Sequence, residues 1–268
     1  SNKHVVVSNY PNKVSQREIE RCRIVAYNLL YGNYPILLDN HIEFEGEANI
    51  KFIPAIINKN SNSNSKQQMC ITYNSSRSNT KCIKNINKYL ERLDIPLLKS
   101  ITLSPKSEFR EYFYHLDCIM NFSVDSSNIQ MFDDETQFWA DYKKNGTLIY
   151  EENGFKLKYL NVLDMLFEKM IPVNKEDDLL CANMIVSPEH IVGSANIKNK
   201  HQIPNFYNFN HPSHGGGGAH KCCSNTLNMN PTISIDEWIS FSEDIGIHVD
   251  DHFIKGVKSE IDRVKNTF

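Results

Sequence analysis

The chain has 268 residues, 40% of them hydrophobic and 23% charged, enough apolar material for one large core or two small ones. A formal net charge of −3 gives no basic field for nucleic acid, and no apolar run is long enough to span a bilayer as a helix, so neither nucleic acid nor membrane is an expected partner. Seven cysteines at irregular spacings favour free thiols in a reducing compartment; with no signal-peptide pattern, and Ser1-Asn2 reading as a tag remnant, a cytoplasmic protein is expected.

In chain order, Val5 to Val7 reads as a strand and Gln16 to Leu30 as a helix ended by Gly32. Ile36 to Leu38 reads as a second strand. His41 to Pro54 reads as a third, its alternating Glu43, Glu45 and Glu47 fitting a solvated edge, while Gly46 hints at close approach of a ligand. The polar stretch 58–68 is a surface loop, because strand-like Met69 to Tyr73 follows at once. A helix over 79–93 and a strand over Leu97 to Leu103 come next. His115 to Phe122 reads as an apolar strand carrying His115 and Asp117 on one face, a pair that orients an imidazole, binds a cation or is simply structural.

Farther on, Thr147 to Tyr150 and Phe155 to Tyr159 read as strands and Val162 to Met170 as a helix. Cys181 to Val186 and His190 to Val192 form a hairpin around Ser187-Pro188, and Ile235 to Phe241 and Asp250 to Val264 are helices, with Trp238 in the core. Short strands alternating with single helices imply a mixed α/β architecture of repeated small modules, and no GxGxxG or P-loop is present.

The segment from His211 to Asn225 runs four consecutive glycines, Gly215 to Gly218, into Ala219-His220-Lys221-Cys222-Cys223. Glycines permit positive φ and close approach of a ligand, and basic neighbours favour the nucleophilic thiolate. A flexible loop ahead of a buried cysteine pair fits the same residues. The histidines and cysteines here are metal-ligand types, but adjacent cysteines suit a tetrahedral site poorly and no CxxC pair exists, so no metal is expected.

Four motifs in order, Glu45-Gly46, Ser75-Ser76-Arg77-Ser78-Asn79, His115-Leu116-Asp117 and Gly217-Gly218-Ala219-His220-Lys221-Cys222, resemble those of the guanidino-group-modifying superfamily, which includes arginine deiminases, dimethylarginine dimethylaminohydrolases, arginine dihydrolases and amidinotransferases. The resemblance covers residues 5–227, with a helical segment over 233–268 beyond it, and Cys181 to Asn196 matches the hairpin the family places before its glycine-rich loop. It implies one domain over 1–268, a five-module β/α propeller (pentein) with the site at its centre. An upstream strand carrying a further substrate-binding Asp or Asn is not found ahead of Val5, and the family's second acidic position falls near Asn49, one residue displaced, where a substrate contact without charge is expected.

Such chemistry suits these residue types. A guanidinium is a planar cation and a poor electrophile, so carboxylates must hold it while a soft nucleophile attacks its central carbon. The resemblance makes Cys222 the nucleophile, His115 the acid and base, Glu45 and Asp117 the clamp, and Arg77 the partner of a substrate carboxylate, with Gly218 lining the substrate from the loop. The implied reaction is hydrolysis of the guanidino group of arginine or a close relative through a thiouronium intermediate, releasing ammonia or an amine. An amidinotransferase and a catalytically incomplete binding protein are the alternatives. No cofactor is called for, and a homo-oligomer is left open.

Overall fold

The computed structural model describes residues 4–9, 17–58, 66–106, 113–152, 154, 156–174, 182–187, 190–194, 196–208 and 230–266. The chain divides into two compact units built from separate stretches: Ser1–Gly46, Lys81–Ile95 and Thr226–Phe268 form the first, Glu47–Thr80 and Pro96–Asn225 the second.

In the first unit, β1 (His4–Val6) pairs in parallel with β2 (Tyr34–Ile36) across α1 (Arg17–Leu30). Helix α1 buries Cys22, Val25, Ala26 and Leu29, one helical stripe, and packs on the C-terminal helix of the chain, which buries Phe253, Val257, Ile261 and Val264 at the same kind of spacing. Gly32 ends α1 with φ +71°, and a Cβ there would meet the Pro231 carbonyl oxygen at 2.2 Å. Helix α2 (Lys81–Arg92) belongs to this unit; its Asn85 and Tyr89 side chains donate to the two carboxylate oxygens of Asp39 at 2.6 and 2.7 Å. Trp238 is fully buried, its indole N–H donating to the Pro35 carbonyl at 2.9 Å.

The second unit repeats one arrangement three times: two antiparallel strands, then a crossover that brings a third strand in parallel beside the second. First, β3 (Ile50–Asn58) and β4 (Lys66–Tyr73) pair antiparallel and β5 (Leu97–Leu103) joins β4 in parallel. β6 (Met120–Ser123) comes next, and β7 (Gln130–Phe132) extends the first sheet beside β3, followed by α3 (Glu135–Asp141). The second copy pairs β6 with β8 (Thr147–Glu151), crosses through α4 (Leu157–Asp164) and returns as β9 (Lys169–Val173). The third runs β10 (Ile185–Val186), β11 (Ile191–Gly193), a 3₁₀ turn at Lys200–Gln202 and β12 (Phe206–Asn208). A core of Ile53, Ile71, Leu103, Met120, Leu148 and Phe167 joins the first two sheets, and Ile149, Ile171, Met184 and Ile191 join the second to the third. The chain closes in the first unit with α5 (Ile235–Asp244) and α6 (Asp251–Lys265), capped by Ser234 and Asp250. None of the helices among the described residues is long and apolar enough to cross a membrane.

The repeated short strands, the strand over Leu97–Leu103, both C-terminal helices and the hairpin on either side of 187–190 agree with expectation. Other stretches differ. Of the expected strand Ile36 to Leu38 only Ile36 is strand, as the last residue of β2, and β4 begins at Lys66, inside the expected loop 58–68. Residues 41–49 are not a strand: Phe44 makes a single bridge to Asn9, and Gly46 with φ +70° opens a 3₁₀ turn to Asn49, so strand β3 starts only at Ile50. The alternation of Glu43, Glu45 and Glu47 is therefore not a pleat. Within the expected strand over Phe155 to Tyr159, Leu157 to Tyr159 instead begin α4, whose Leu160 and Leu163 are helically spaced and face the core; the expected helix over Val162 to Met170 stops at Asp164, and β9 begins at Lys169. Finally, 115–119 is a turn and not the first half of a strand.

Replacing Gly32 by alanine should lower unfolding free energy by roughly 2–4 kcal/mol, because positive φ and the clash with residue 231 act together. Urea denaturation measures it; a loss below about 0.5 kcal/mol would show that the backbone relaxes freely there.

Candidate active site

The clearest cluster of chemically capable side chains sits on the tight turn between residues 115 and 119. The Cys118 N–H donates to the His115 carbonyl at 3.3 Å and the Ile119 N–H to the Leu116 carbonyl at 3.0 Å, a 3₁₀ geometry that breaks the period-2 alternation and lets consecutive residues go inside. The preceding carbonyls are already taken: the Tyr73 hydroxyl donates to Phe113 O at 2.9 Å and the Ser75 hydroxyl to Tyr114 O at 2.5 Å. On the other side, the Glu151 N–H donates to Ile119 O at 2.8 Å.

This turn brings His115, Asp117 and Cys118 together, one imidazole nitrogen, carboxylate oxygen and thiol sulfur lying within 4.8 Å of one another. Asp117 is 2% exposed. Burial pushes its carboxyl above the usual carboxylate range, against the opposing pull of His115 and Lys51 and of the neighbouring Asn183 and Cys118 side chains. The turn is thus a place where a cation is favoured and water is scarce. The same three donors have the nitrogen, oxygen and sulfur character of a zinc site, and Cys118 Sγ is 3.8 Å from Asp117 Oδ1.

Arg77 is held close to this turn. Its backbone N–H donates to the Ser75 hydroxyl at 3.1 Å, Ser75 N–H donates to Ser78 O at 3.0 Å, and its guanidinium lies 5.3 Å from the centroid of the Tyr114 ring, which meets the His115 ring edge-on at 4.6 Å. The Arg77 turn and the His115 turn are thus coupled through Tyr114 and the Ser75 hydroxyl, though 38 positions separate the two residues.

The remaining expected residues are placed as follows. Asn49 is fully buried at the end of the Gly46–Asn49 turn, and neither atom of its carboxamide has a hydrogen-bond partner among the described residues. Glu45 is half-buried in the first unit, just after the Phe44 bridge. A Cβ on Gly46 would come 2.6 Å from the Ser8 hydroxyl, so the close approach the glycine permits is to its own chain. Cys222 and Gly218 lie outside the described residues. Three residues that motif reading passed over belong to the cluster: Lys51, on β3, whose charge acts on Asp117; Asn183; and Tyr114. Asn183 is set in place by Asn121, whose side-chain amide donates to the Met184 carbonyl at 2.7 Å. Only the hairpin motif around Cys181 to Asn196 offered a signal for it.

No protein-family model matches this sequence, and no curated protein does either. Solved structures do. The N-terminal domain of ArgZ bound to product, from an arginine dihydrolase of the ornithine-ammonia cycle in cyanobacteria, aligns with a TM-score of 0.54 and 20% identity over 87% of this chain and 72% of that one. A longer ArgZ chain in its apo structure gives 0.53 and 21% over 83% of this chain and 30% of its own. AgrE with a cysteine replaced by alanine, in complex with L-arginine, gives 0.53 and 18% over 87% and 30%. This chain has the fold of the ArgZ and AgrE structures. It spans under a third of the longer ArgZ and AgrE chains, and at such identities the likeness is one of fold.

The state of Asp117 predicts a stability effect with a definite sign. A carboxyl raised above its unfolded value makes the native state lose stability as pH rises from the unfolded value through the folded one. Asp117→Asn removes that loss, so at pH 7 the variant should melt about 2–4 °C higher than the wild type, the shift that about 1 kcal/mol gives in a domain of this size, with the difference vanishing near pH 3. A variant equally destabilised at both pH values would show instead that the carboxylate is fully compensated by its neighbours.

Proposed function

We propose that this protein hydrolyses the guanidino group of arginine or a close relative. The observation that carries this reading is the buried Asp117 beside His115, with Arg77 held against the same turn through Tyr114. A water-poor carboxylate binds a guanidinium by paired hydrogen bonds, and an arginine fork a short distance away suits the carboxylate at the other end of an amino acid. The fold shared with ArgZ and AgrE supports it, as does the L-arginine in the AgrE complex.

In this reading the Cys222 thiolate attacks the guanidino carbon, forming a C–S bond. His115 gives a proton to the departing nitrogen as the C–N bond breaks and ammonia or an amine leaves. It then takes a proton from water, whose oxygen attacks the same carbon; the C–S bond breaks and the ureido product leaves with the thiolate restored. Asp117 and Glu45 hold the guanidinium, Gly218 lines it, and Asn49 contributes a neutral hydrogen-bonding group. A single five-module propeller over 1–268, with the site at its centre, and a cytoplasmic location complete the proposal.

A second reading, a protein that binds the guanidine without turning it over, is favoured by two observations. Asn49 is a carboxamide where the resemblance places an acid, and the Lys51 charge already acts on Asp117. One assay separates the two readings: incubation with arginine, agmatine, methylated arginine and citrulline, following ammonia and the ureido product. Turnover supports the hydrolase; saturable binding of arginine without product supports the binding protein.

For the hydrolase, Cys222→Ala should cut turnover by about 10³-fold or more while arginine still binds, and Cys223→Ala should leave it near wild type. The reverse pattern would move the nucleophile by one residue. Arg77→Ala should raise KM for arginine by roughly tenfold or more with a smaller change in kcat, since its contact lies away from the reacting carbon. Agmatine, lacking the carboxylate, should be a poor substrate for the wild type and unaffected by the change; equal use of both substrates would remove Arg77 from the site.

A further inference from the structure

The first unit holds a cavity of about 290 Å³ that the proposed reaction does not use, lined by Arg21, Leu38, Asp39, Tyr89, Ile247 and Phe253 among others. Arg21 is its anomaly. Its Nε is shielded from solvent without a hydrogen-bond partner among the described residues, and its guanidinium sits 5.5 Å from the centroid of the Phe253 ring. Burial lowers its affinity for its proton, against the opposing influence of Cys22, Glu18 and Asp250. A partly buried guanidinium whose Nε–H has no partner is matched by a carboxylate.

Asp39 supplies the opposite charge on the same cavity. The Tyr89 hydroxyl and the Asn85 amide hold its carboxyl below the usual range, so it stays ionised, and Lys88 approaches it only to 3.9 Å. Leu37, Leu38, Ile247, Val249 and Phe253 give the cavity an apolar patch, and Asn40, His248 and Asp250 line the rest with polar groups. A guanidinium, the Asp39 and Asp250 carboxylates, the second of them already capping α6, and an apolar patch around a volume at the small end of ligand sites suit a small zwitterion with a hydrocarbon side chain.

We propose that this cavity binds a free aliphatic α-amino acid, its carboxylate on Arg21, its ammonium toward Asp39 and its side chain against Phe253 and Ile247. Such a site takes no part in guanidine chemistry and stands or falls separately from it. An occupant held there would bridge α1, α2 and the segment ahead of α6, and so tie together three stretches far apart in sequence.

The test is titration of the whole protein, labelled with ¹⁵N at arginine, with L-leucine and L-valine while the Arg21 Nε–H resonance is followed. These probes carry no guanidino group, so they do not compete for the proposed active site. A saturable shift is expected, at least tenfold weaker with leucinamide, which lacks the carboxylate, and with 4-methylpentanoate, which lacks the amine. Arg21→Gln should abolish calorimetric binding of leucine while the melting temperature holds or rises, because a partly buried charge with an unpartnered Nε–H is removed; Arg21→Lys, which keeps the charge but loses the fork, should weaken binding at least tenfold. Equal binding of 4-methylpentanoate or inorganic phosphate would make this a plain anion site and overturn the amino-acid assignment. No response to any probe, or binding untouched by both Arg21 variants, would overturn the site.

Discussion

A carboxylate kept from water inside a tight turn is the constraint around which the second unit is arranged. Ionised Asp117 at 2% exposure is tolerable only with positive charge and hydrogen-bonding groups brought to it, and the surrounding elements each deliver one. β3 brings Lys51, the segment ahead of β10 brings Asn183, and the turn itself brings His115. Removing the residue from the pleat is what makes this possible, because in a continuous strand His115 and Asp117 would share a face while Cys118 pointed away.

The turn is held from both sides by the sheets it separates. Tyr73 at the end of β4 and Ser75 just beyond it use their hydroxyls to take two carbonyls before the turn, and β8 takes one after it through Glu151. None of these bonds involves the chemistry directly. They fix where the imidazole and carboxylate start, which matters because acid–base and electrostatic effects in a dry site fall off over fractions of an ångström. Cation–π contact with Tyr114 extends the same order to Arg77.

The three-fold repetition of an antiparallel pair followed by a parallel return supplies these turns cheaply. Each copy buries one sheet face against its neighbour, the first two through Ile71, Met120 and Leu148, the second and third through Ile149, Ile171 and Met184. Adjacent residues of β8, Leu148 and Ile149, serve the two different cores, so alternation along a single strand welds consecutive modules. Strand ends, freed from packing duty, carry the polar groups.

Local sequence alone determined what depends on short-range pattern. The apolar stripe of α6, the caps at Ser234 and Asp250 and the left-handed stop at Gly32 each follow from residues within one or two turns of one another. His115, Asp117 and Arg77 were legible as candidates because ordered motifs mark them. What tertiary structure decided is how those residues meet. A run such as Leu116-Asp117-Cys118-Ile119 is equally apolar as strand or turn, and only the hydroxyls of Tyr73 and Ser75, some forty positions earlier, select the turn. Likewise the three glutamates of 41–47 mimic a pleat, yet a positive φ at Gly46, packed against Ser8, breaks it. The partnership of Lys51 and Asn183 with Asp117 joins three distant stretches by burial, and the energy of a buried charge belongs to an environment that no single stretch of sequence contains.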